Sequence, residues 1–104
     1  MKEISVTELK ARKDAGDDLQ LIDIRETNEF EYCNIGGELI PMGEVMSNLS
    51  RISKDKDVVI HCKAGGRSAA ITQALMARGY ENVINLKGGV LAWAAEIDPS
   101  LPTY

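Results

Sequence analysis

The stretch of sequence that decides the fold runs Val58-Val59-Ile60-His61-Cys62-Lys63-Ala64-Gly65-Gly66-Arg67-Ser68. Its first residues, with Asp57 before them, form a β-branched apolar run, which is typical of a buried strand in a parallel sheet. Cys62 ends that run, and a short loop with two glycines follows at once. Residues 68–77 then have the pattern of a helix that ends at Gly79. A strand, a tight loop and a helix in this order predict one unit of an α/β fold.

The same alternation of strands and helices continues on both sides of this unit. We expect strands at residues 3–6, 19–24, 39–40, 57–61 and 82–86, and helices at 7–15, 43–49, 68–77 and 90–96. Residues 25–37 are polar and receive no helix or strand. The order predicts one α/β domain over residues 1–104, in three layers, with a mainly parallel central sheet of about five strands and helices on both faces. Residues from about 98 to 104, which include Pro99 and Pro102, are expected to form a loose C-terminal tail.

The composition argues against several functions. The chain has 104 residues, a formal net charge of −4 and no run of Lys or Arg, so we expect no binding to nucleic acid or to an anionic membrane. No signal peptide or membrane-spanning stretch is visible. Two cysteines do not make a disulfide framework, so both are expected to be free thiols in a reducing compartment, and the predicted location is the cytoplasm. One His and two Cys suggest no zinc site, and no metal or organic cofactor is predicted.

The loop after Cys62 has the features of an anion-binding cradle. The first amides of a helix have no partners within the helix, and the helix dipole adds partial positive charge at the same end. Lys63 and Arg67 add local cationic charge, and glycines at 65 and 66 are expected to adopt backbone angles that a side chain would forbid. All of these features favour a thiolate over a thiol at Cys62. The sequence therefore predicts a nucleophilic cysteine.

Three stretches, in this order, resemble the rhodanese (sulfurtransferase) family. The first is Leu21-Ile22-Asp23-Ile24-Arg25 with Glu29-Phe30 after it, the second is the Cys62–Ser68 loop, and the third is Leu86-Lys87-Gly88-Gly89-Val90-Leu91-Ala92-Trp93. Together they extend over nearly the whole chain. Two positions depart from the family pattern: Asn34 stands where a histidine is usual, and Glu38 where an alanine is usual. Both lie in the first half of the chain, outside the loop.

The resemblance implies a mechanism and a set of site residues. Cys62 matches the nucleophile, which takes sulfur from a thiosulfate-like or persulfide donor and becomes a persulfide. The acceptor is cyanide in the test tube, or a thiol or protein, such as a thioredoxin-like one, in a cell. The substrate-binding residues are then Lys63, Ala64, Gly65, Gly66, Arg67 and Ser68. Arg25 is added as a residue that faces the donor, although it and Asp23 are also consistent with a structural pair that braces the loop.

Two other functions are left open. One is a sulfur-carrier or sensor module that passes persulfide to a protein partner and turns over little with small molecules. The other is a cysteine-dependent phosphatase or arsenate reductase. Such phosphatases place five residues between Cys and Arg, whereas four separate Cys62 from Arg67 here. The smaller ring of amides suits a sulfur atom better than a tetrahedral phosphate, so sulfur transfer is favoured.

Two further residues have alternative interpretations. Cys33 is either a thiol that resolves the persulfide by forming a disulfide or, as we favour, an incidental loop cysteine. His61 precedes Cys62 on a strand, so its side chain points to the opposite face of the sheet. We therefore interpret His61 as structural and not as a general base.

Overall fold

The computed structural model describes all 104 residues around a five-stranded parallel sheet. The strands are β1 (Lys2–Ile4), β2 (Gln20–Asp23), β3 (Glu38–Leu39), β4 (Val58–His61) and β5 (Val83–Leu86). Their order across the sheet is β1-β5-β4-β2-β3, and all the pairings are parallel. This sheet and its helices confirm the predicted α/β fold. The central position of β4 agrees with its unbroken apolar sequence, because a central parallel strand is covered by helices on both faces of the sheet.

The structure has four α-helices, of which the first three lie between strands and the fourth follows β5. They are α1 (Val6–Asp14), α2 (Thr27–Tyr32), α3 (Gly66–Ala77) and α4 (Gly89–Glu96). Helix α1 begins with a capping box, in which Ser5 Oγ accepts from the Glu8 amide and the Glu8 carboxylate accepts from the Ser5 amide. Short 3₁₀ turns at Met42–Ser47 and Leu49–Arg51 replace a fifth helix.

Two elements differ from the prediction for physical reasons. Helix α2 lies in the segment that received no assignment, and none of its residues is buried, so it carries no apolar periodicity to detect. The helix predicted at 43–49 is wrong, because this segment forms 3₁₀ turns. Asn48 Nδ2 and Ser47 Oγ both donate to the Glu44 carbonyl, and such side-chain bonds compete with a regular helix.

The sheet separates two apolar layers. Helix α3 and the 3₁₀ turns cover one face, over Val58 and Ile60 of β4, while α1 and α4 cover the other face, over Val59. The alternation of side chains along the strand sends consecutive residues to opposite layers. Cys62 therefore belongs to the α3 layer, and Trp93 belongs to the α1/α4 layer.

The C-terminal residues 98–104 contain no regular helix or strand, but they contact the rest of the protein. The Tyr104 hydroxyl hydrogen-bonds to Arg25 and Glu29, and its ring packs edge-on against Tyr32 with the centroids 5.9 Å apart. These contacts bring the tail to the carboxyl end of the sheet, where Cys62 also lies. None of the helices is both long enough and apolar enough to span a membrane.

Candidate active site

Cys62 lies at the base of a cradle formed by its own loop and the start of α3. Its Sγ accepts hydrogen bonds from the Gly65 amide at 3.1 Å and the Ser68 amide at 3.4 Å. The Ser68 hydroxyl, 3.3 Å from the same sulfur, is a third donor and also lies 3.2 Å from the Gly65 carbonyl. The cysteine is 1% exposed, so these donors replace the water that would otherwise solvate a thiolate.

The balance of burial and hydrogen bonding favours the thiolate. Burial is the largest single influence on the pKa of Cys62 and raises it. Hydrogen bonds from the Ser68 hydroxyl and from the amides of Ser68, Gly65 and Ala64 act in the other direction, and together they leave the pKa lowered. The cradle therefore favours the thiolate, which is the reactive form of a cysteine side chain.

The two loop glycines have different structural roles. Gly65 has φ +112°, an angle that side chains rarely adopt, and its amide is thereby turned toward Cys62 Sγ. Gly66 is the first residue of α3, it has no positive φ, and an added Cβ would meet nothing within 4 Å. The expectation that Gly66 needs an angle forbidden to other residues is wrong, because the left-handed turn is complete one residue earlier.

The start of α4 supports the loop from below. The Val90 amide donates to the Cys62 carbonyl at 3.0 Å, and the Leu91 amide donates to the Lys63 carbonyl at 3.1 Å. A Cβ on Gly89 would lie 2.6 Å from the Cys62 carbonyl oxygen and 2.5 Å from that of Lys63. Gly89 is therefore the point where α4 approaches the backbone of the Cys62 loop.

His61 lies under the loop and is fully buried. Its Nδ1 is 3.2 Å from the Cys62 carbonyl, which can only accept, so Nδ1 carries the proton. Its Nε2 lies 3.6 Å from Asp23 and has no hydrogen-bond partner. Burial is the main cause of a lowered pKa, which keeps the ring neutral. This position on the opposite face from Cys62 fits the structural interpretation of His61.

Arg67 extends from the first turn of α3 to Glu29 of α2. Its Nη1 and Nη2 donate to the two carboxylate oxygens at 2.8 and 2.9 Å. The hydrogen bond from Arg67 is the main reason why the pKa of Glu29 falls to about 2, and the pKa of Arg67 is raised in turn. The guanidinium that the sequence analysis assigned to the donor is thus already paired with a carboxylate.

Arg25 is buried and fully engaged in hydrogen bonds. It donates to both Asp23 oxygens, with Nη2 to Oδ2 at 2.8 Å, and to the Cys33 carbonyl at 2.7 Å and the Tyr104 hydroxyl at 2.9 Å. Burial lowers the pKa of Arg25, but the bonds to Asp23 and Tyr104 outweigh it and leave the pKa raised. These contacts fit the bracing pair of the sequence analysis, in which Arg25 acts through its neighbours.

Lys63 and Tyr104 lie together at the rim. The Lys63 ammonium is 4.4 Å from the centroid of the Tyr104 ring, a cation–π distance. The Tyr104 hydroxyl donates to Glu29 Oε2 at 2.5 Å. Tyr104 therefore joins the two sides of the rim, Lys63 on one and Glu29 on the other.

Cys33 lies in the opposite layer from Cys62. It packs with the α1/α4 layer, and its Sγ is 3.8 Å from Arg25 Nη1. Neither of the two residues that depart from the family pattern is bonded to the Cys62 loop. Asn34 donates to the Phe30 carbonyl and accepts from the Gly36 amide, and Glu38 forms a salt bridge with Arg51.

Fold and site together define a class: α/β proteins that hold a nucleophilic cysteine in an amide cradle between a central parallel strand and a helix. The profile of the rhodanese-like domain family matches residues 5–96. A sulfurtransferase of Allochromatium vinosum is 40% identical over 95 residues, which cover 90% of this chain and 89% of that protein. The chain belongs to the rhodanese-like family.

A relative of known structure and a longer relative extend this comparison. The crystal structure of a rhodanese-like domain protein from Staphylococcus aureus has a TM-score of 0.86 and 32% identity, and the match covers 100% of this chain and 99% of that one. A chloroplastic rhodanese-like/PpiC domain-containing protein of Arabidopsis thaliana is 35% identical over 112 residues. This chain spans only 38% of that protein, and about a quarter of some other relatives.

Three residues of the site were missed by the sequence analysis as site residues. Glu29 and Gly89 were quoted only as parts of matching segments, and Tyr104 only as part of the tail. The Gly-Gly pair before α4 was a usable signal for Gly89, since adjacent glycines often mark a close backbone approach. Nothing local to Tyr104 indicates that it meets a side chain 75 positions earlier.

Proposed function

We propose that this protein is a sulfurtransferase that carries sulfane sulfur as a persulfide on Cys62. The observation that carries the proposal is the convergence of the Gly65 amide, the Ser68 amide and the Ser68 hydroxyl on one buried sulfur. Membership of the rhodanese-like family and a relative named sulfurtransferase support sulfur transfer as the general chemistry. The particular donor and acceptor are part of the proposal.

The reaction has two half-reactions that balance. The Cys62 thiolate attacks the outer sulfur of a donor such as thiosulfate, a Cys–S bond forms, and the donor's S–S bond breaks as sulfite leaves with the electron pair. A nucleophilic acceptor, cyanide or a thiol, then attacks the outer sulfur of the persulfide, and Cys62 leaves as a thiolate. This is ping-pong covalent catalysis, and it requires no redox partner.

Each predicted site residue has a place in this scheme. The amides of the Lys63–Ser68 loop stabilise the negative charge of the thiolate and then of the persulfide. Lys63 and Arg67 orient an anionic donor at the rim. Because Arg25 is buried and bonded on all sides, we assign it a positioning role: it holds Cys33 and Tyr104 in place beside Asp23. We keep the cytoplasm as the proposed location and a thiol or a thioredoxin-like protein as the proposed acceptor.

A sulfur carrier for one protein partner is the second candidate. The observation in its favour is the burial of Cys62, which is 1% exposed. An acceptor must reach the buried sulfur past the rim, which favours a partner whose surface is complementary to that rim. Phosphatase chemistry is disfavoured, because four residues and not five separate Cys62 from Arg67, and the smaller ring of amides suits a sulfur atom better than a tetrahedral phosphate.

Intact mass measurement tests the proposal. Reduced protein is incubated with thiosulfate and desalted, and Cys62→Ser and Cys33→Ser are treated in parallel. We expect a gain of about 32 Da, one sulfur, in the wild type and in Cys33→Ser but not in Cys62→Ser, and its removal by cyanide. No gain with any sulfane donor would refute the proposal. A gain without multiple turnover on cyanide would favour the carrier.

A further inference from the structure

All three cations near the Cys62 loop already have partners. Arg67 is paired with Glu29, Arg25 is buried beside Asp23, and Lys63 lies against the Tyr104 ring. The cradle amides favour an anion at the sulfur, but at the rim only Lys63 has a positive charge without a carboxylate partner. A donor with two negative charges is therefore attracted less strongly to this rim than it would be to Lys63 and Arg67 without their partners.

Glu29 is the carboxylate that offsets the positive charge of Arg67. Its carboxylate accepts from both terminal nitrogens of Arg67, from the Tyr104 hydroxyl and from the Glu26 amide at 3.0 Å. Its side chain is 14% exposed, so its charge is poorly screened by water. Four donors fix the carboxylate at the mouth, and it offsets the charge of Arg67 without moving away.

From this arrangement we propose that Glu29 is a specificity-determining residue, which disfavours dianionic donors and selects sulfane sulfur of low charge, such as a persulfide carried on a thiol. The inference rests on the proposed function, because it concerns the donor of the same Cys62 reaction. A dianion meets the Glu29 carboxylate with twice the Coulomb repulsion that a monoanion of the same size meets. Tyr104 contributes by covering the Lys63 ammonium and by fixing Glu29.

Two donors of nearly the same shape separate charge from size. Thiosulfate carries two negative charges, and methanethiosulfonate replaces one oxygen anion by a methyl group and carries one. Both deliver their outer sulfur, with sulfite or methanesulfinate as the leaving group. In a ping-pong reaction, kcat/KM for the donor reports only the donor half-reaction, so cyanide serves as the acceptor for both.

The test compares wild type with Glu29→Gln. Removal of the negative charge is expected to raise kcat/KM for thiosulfate by about three- to tenfold and to raise the thiosulfate-to-methanethiosulfonate ratio by about two- to threefold. Ions at the mouth of the site screen part of this repulsion, so the change in the ratio should become smaller at about 0.5 M KCl. A structural defect in Glu29→Gln would lower both rates together and leave the ratio unchanged.

Glu31→Gln is the matched control, because it makes the same change in net charge on the same helix at an exposed residue. Its ratio should equal that of the wild type. An unchanged ratio in Glu29→Gln, or an equal change in Glu31→Gln, would overturn the inference while persulfide formation on Cys62 still stands. If intact mass shows no sulfur on Cys62 from either donor, the proposed function fails first and this inference falls with it.

Discussion

At the scale of single residues, the chemistry depends on the small number of hydrogen-bond donors that stabilise the buried sulfur of Cys62. The amide donors are fixed by the backbone, but the Ser68 hydroxyl can rotate, and its one proton is shared between Cys62 Sγ and the Gly65 carbonyl. A thiolate is the stronger acceptor and attracts that proton to the sulfur. Ser68 is therefore the donor that adjusts to the ionisation of Cys62.

Replacement of Ser68 by Ala tests this adjustment. Loss of the hydroxyl removes one of the hydrogen bonds that lower the pKa of Cys62, so the pKa should rise. We expect the rate of Cys62 alkylation by iodoacetamide at about pH 7 to fall by about tenfold or more, since a hydrogen bond to a charged group is worth about 1.5–3 kcal/mol. The pH profile of alkylation measures the shift.

Thr72→Val is the control for Ser68→Ala. Thr72 lies one turn further along α3 and is buried, and its hydroxyl donates to the Ser68 carbonyl at 2.7 Å instead of to the sulfur. Its alkylation profile should match that of the wild type. An equal shift in both variants would mean that the helix, and not the Ser68 hydroxyl, controls the thiol.

At the scale of elements, the α4 start and the active-site loop form one backbone unit. Gly89 has φ +58°, and its α-hydrogen faces the carbonyls of Cys62 and Lys63 where a Cβ would lie less than 3 Å from both. These atoms belong to backbone and cannot rotate away. The helix end is thereby seated against the loop, and its first free amides satisfy the two carbonyls.

Gly89→Ala should therefore damage both stability and chemistry. The new methyl group forces α4 away from the loop, which breaks the bond from Val90 to the Cys62 carbonyl. We expect a loss of about 2–4 kcal/mol in the free energy of unfolding by urea and a slower donor half-reaction. Gly43→Ala, where a Cβ meets nothing within 4 Å, should change stability by less than about 1 kcal/mol. Equal stability of the two variants would contradict this account.

Sequence periodicity predicted the elements that bury an apolar face, and it missed those that do not. Strand β4 and helix α3 were found because their residues pack into the layers of the sheet. Helix α2 was missed because its role is to hold Glu29 toward Arg67, and that role leaves no periodic signal. The loop and its nucleophile were predictable from contiguous residues. The ionic rim was not, because its members are far apart in the sequence.

At the scale of the whole molecule, global stability should depend on pH through His61. His61 is the only histidine in the chain, and burial lowers its pKa in the folded state. Below about pH 6.5, the unfolded chain binds a proton that the folded chain does not. The free energy of unfolding therefore has its full value with respect to His61 above that pH. It decreases as the pH falls, by up to about 1.4 kcal/mol per pH unit.

Urea unfolding between about pH 6.5 and pH 5.5 measures this slope. The Cys62→Ser background removes the thiol, whose lowered pKa would add a slope of the same sign. We expect the free energy of unfolding of Cys62→Ser to fall with pH over this range. In the double variant Cys62→Ser/His61→Asn it should change little with pH, whatever its absolute value. A slope that persists without His61 would show that another group titrates.

The position of β1 at the edge of the sheet has a consequence for the time course of synthesis. Its one neighbour is β5, and the pairing joins Lys2 to Ile84, so β1 has no sheet partner until β5 has been synthesised. A ribosome that adds about 5–20 residues per second needs roughly 4–16 s to span that interval. During this interval β1 and helix α1 lack their sheet partner and are accessible to chaperones. The five-stranded sheet is complete only after β5 emerges from the ribosome.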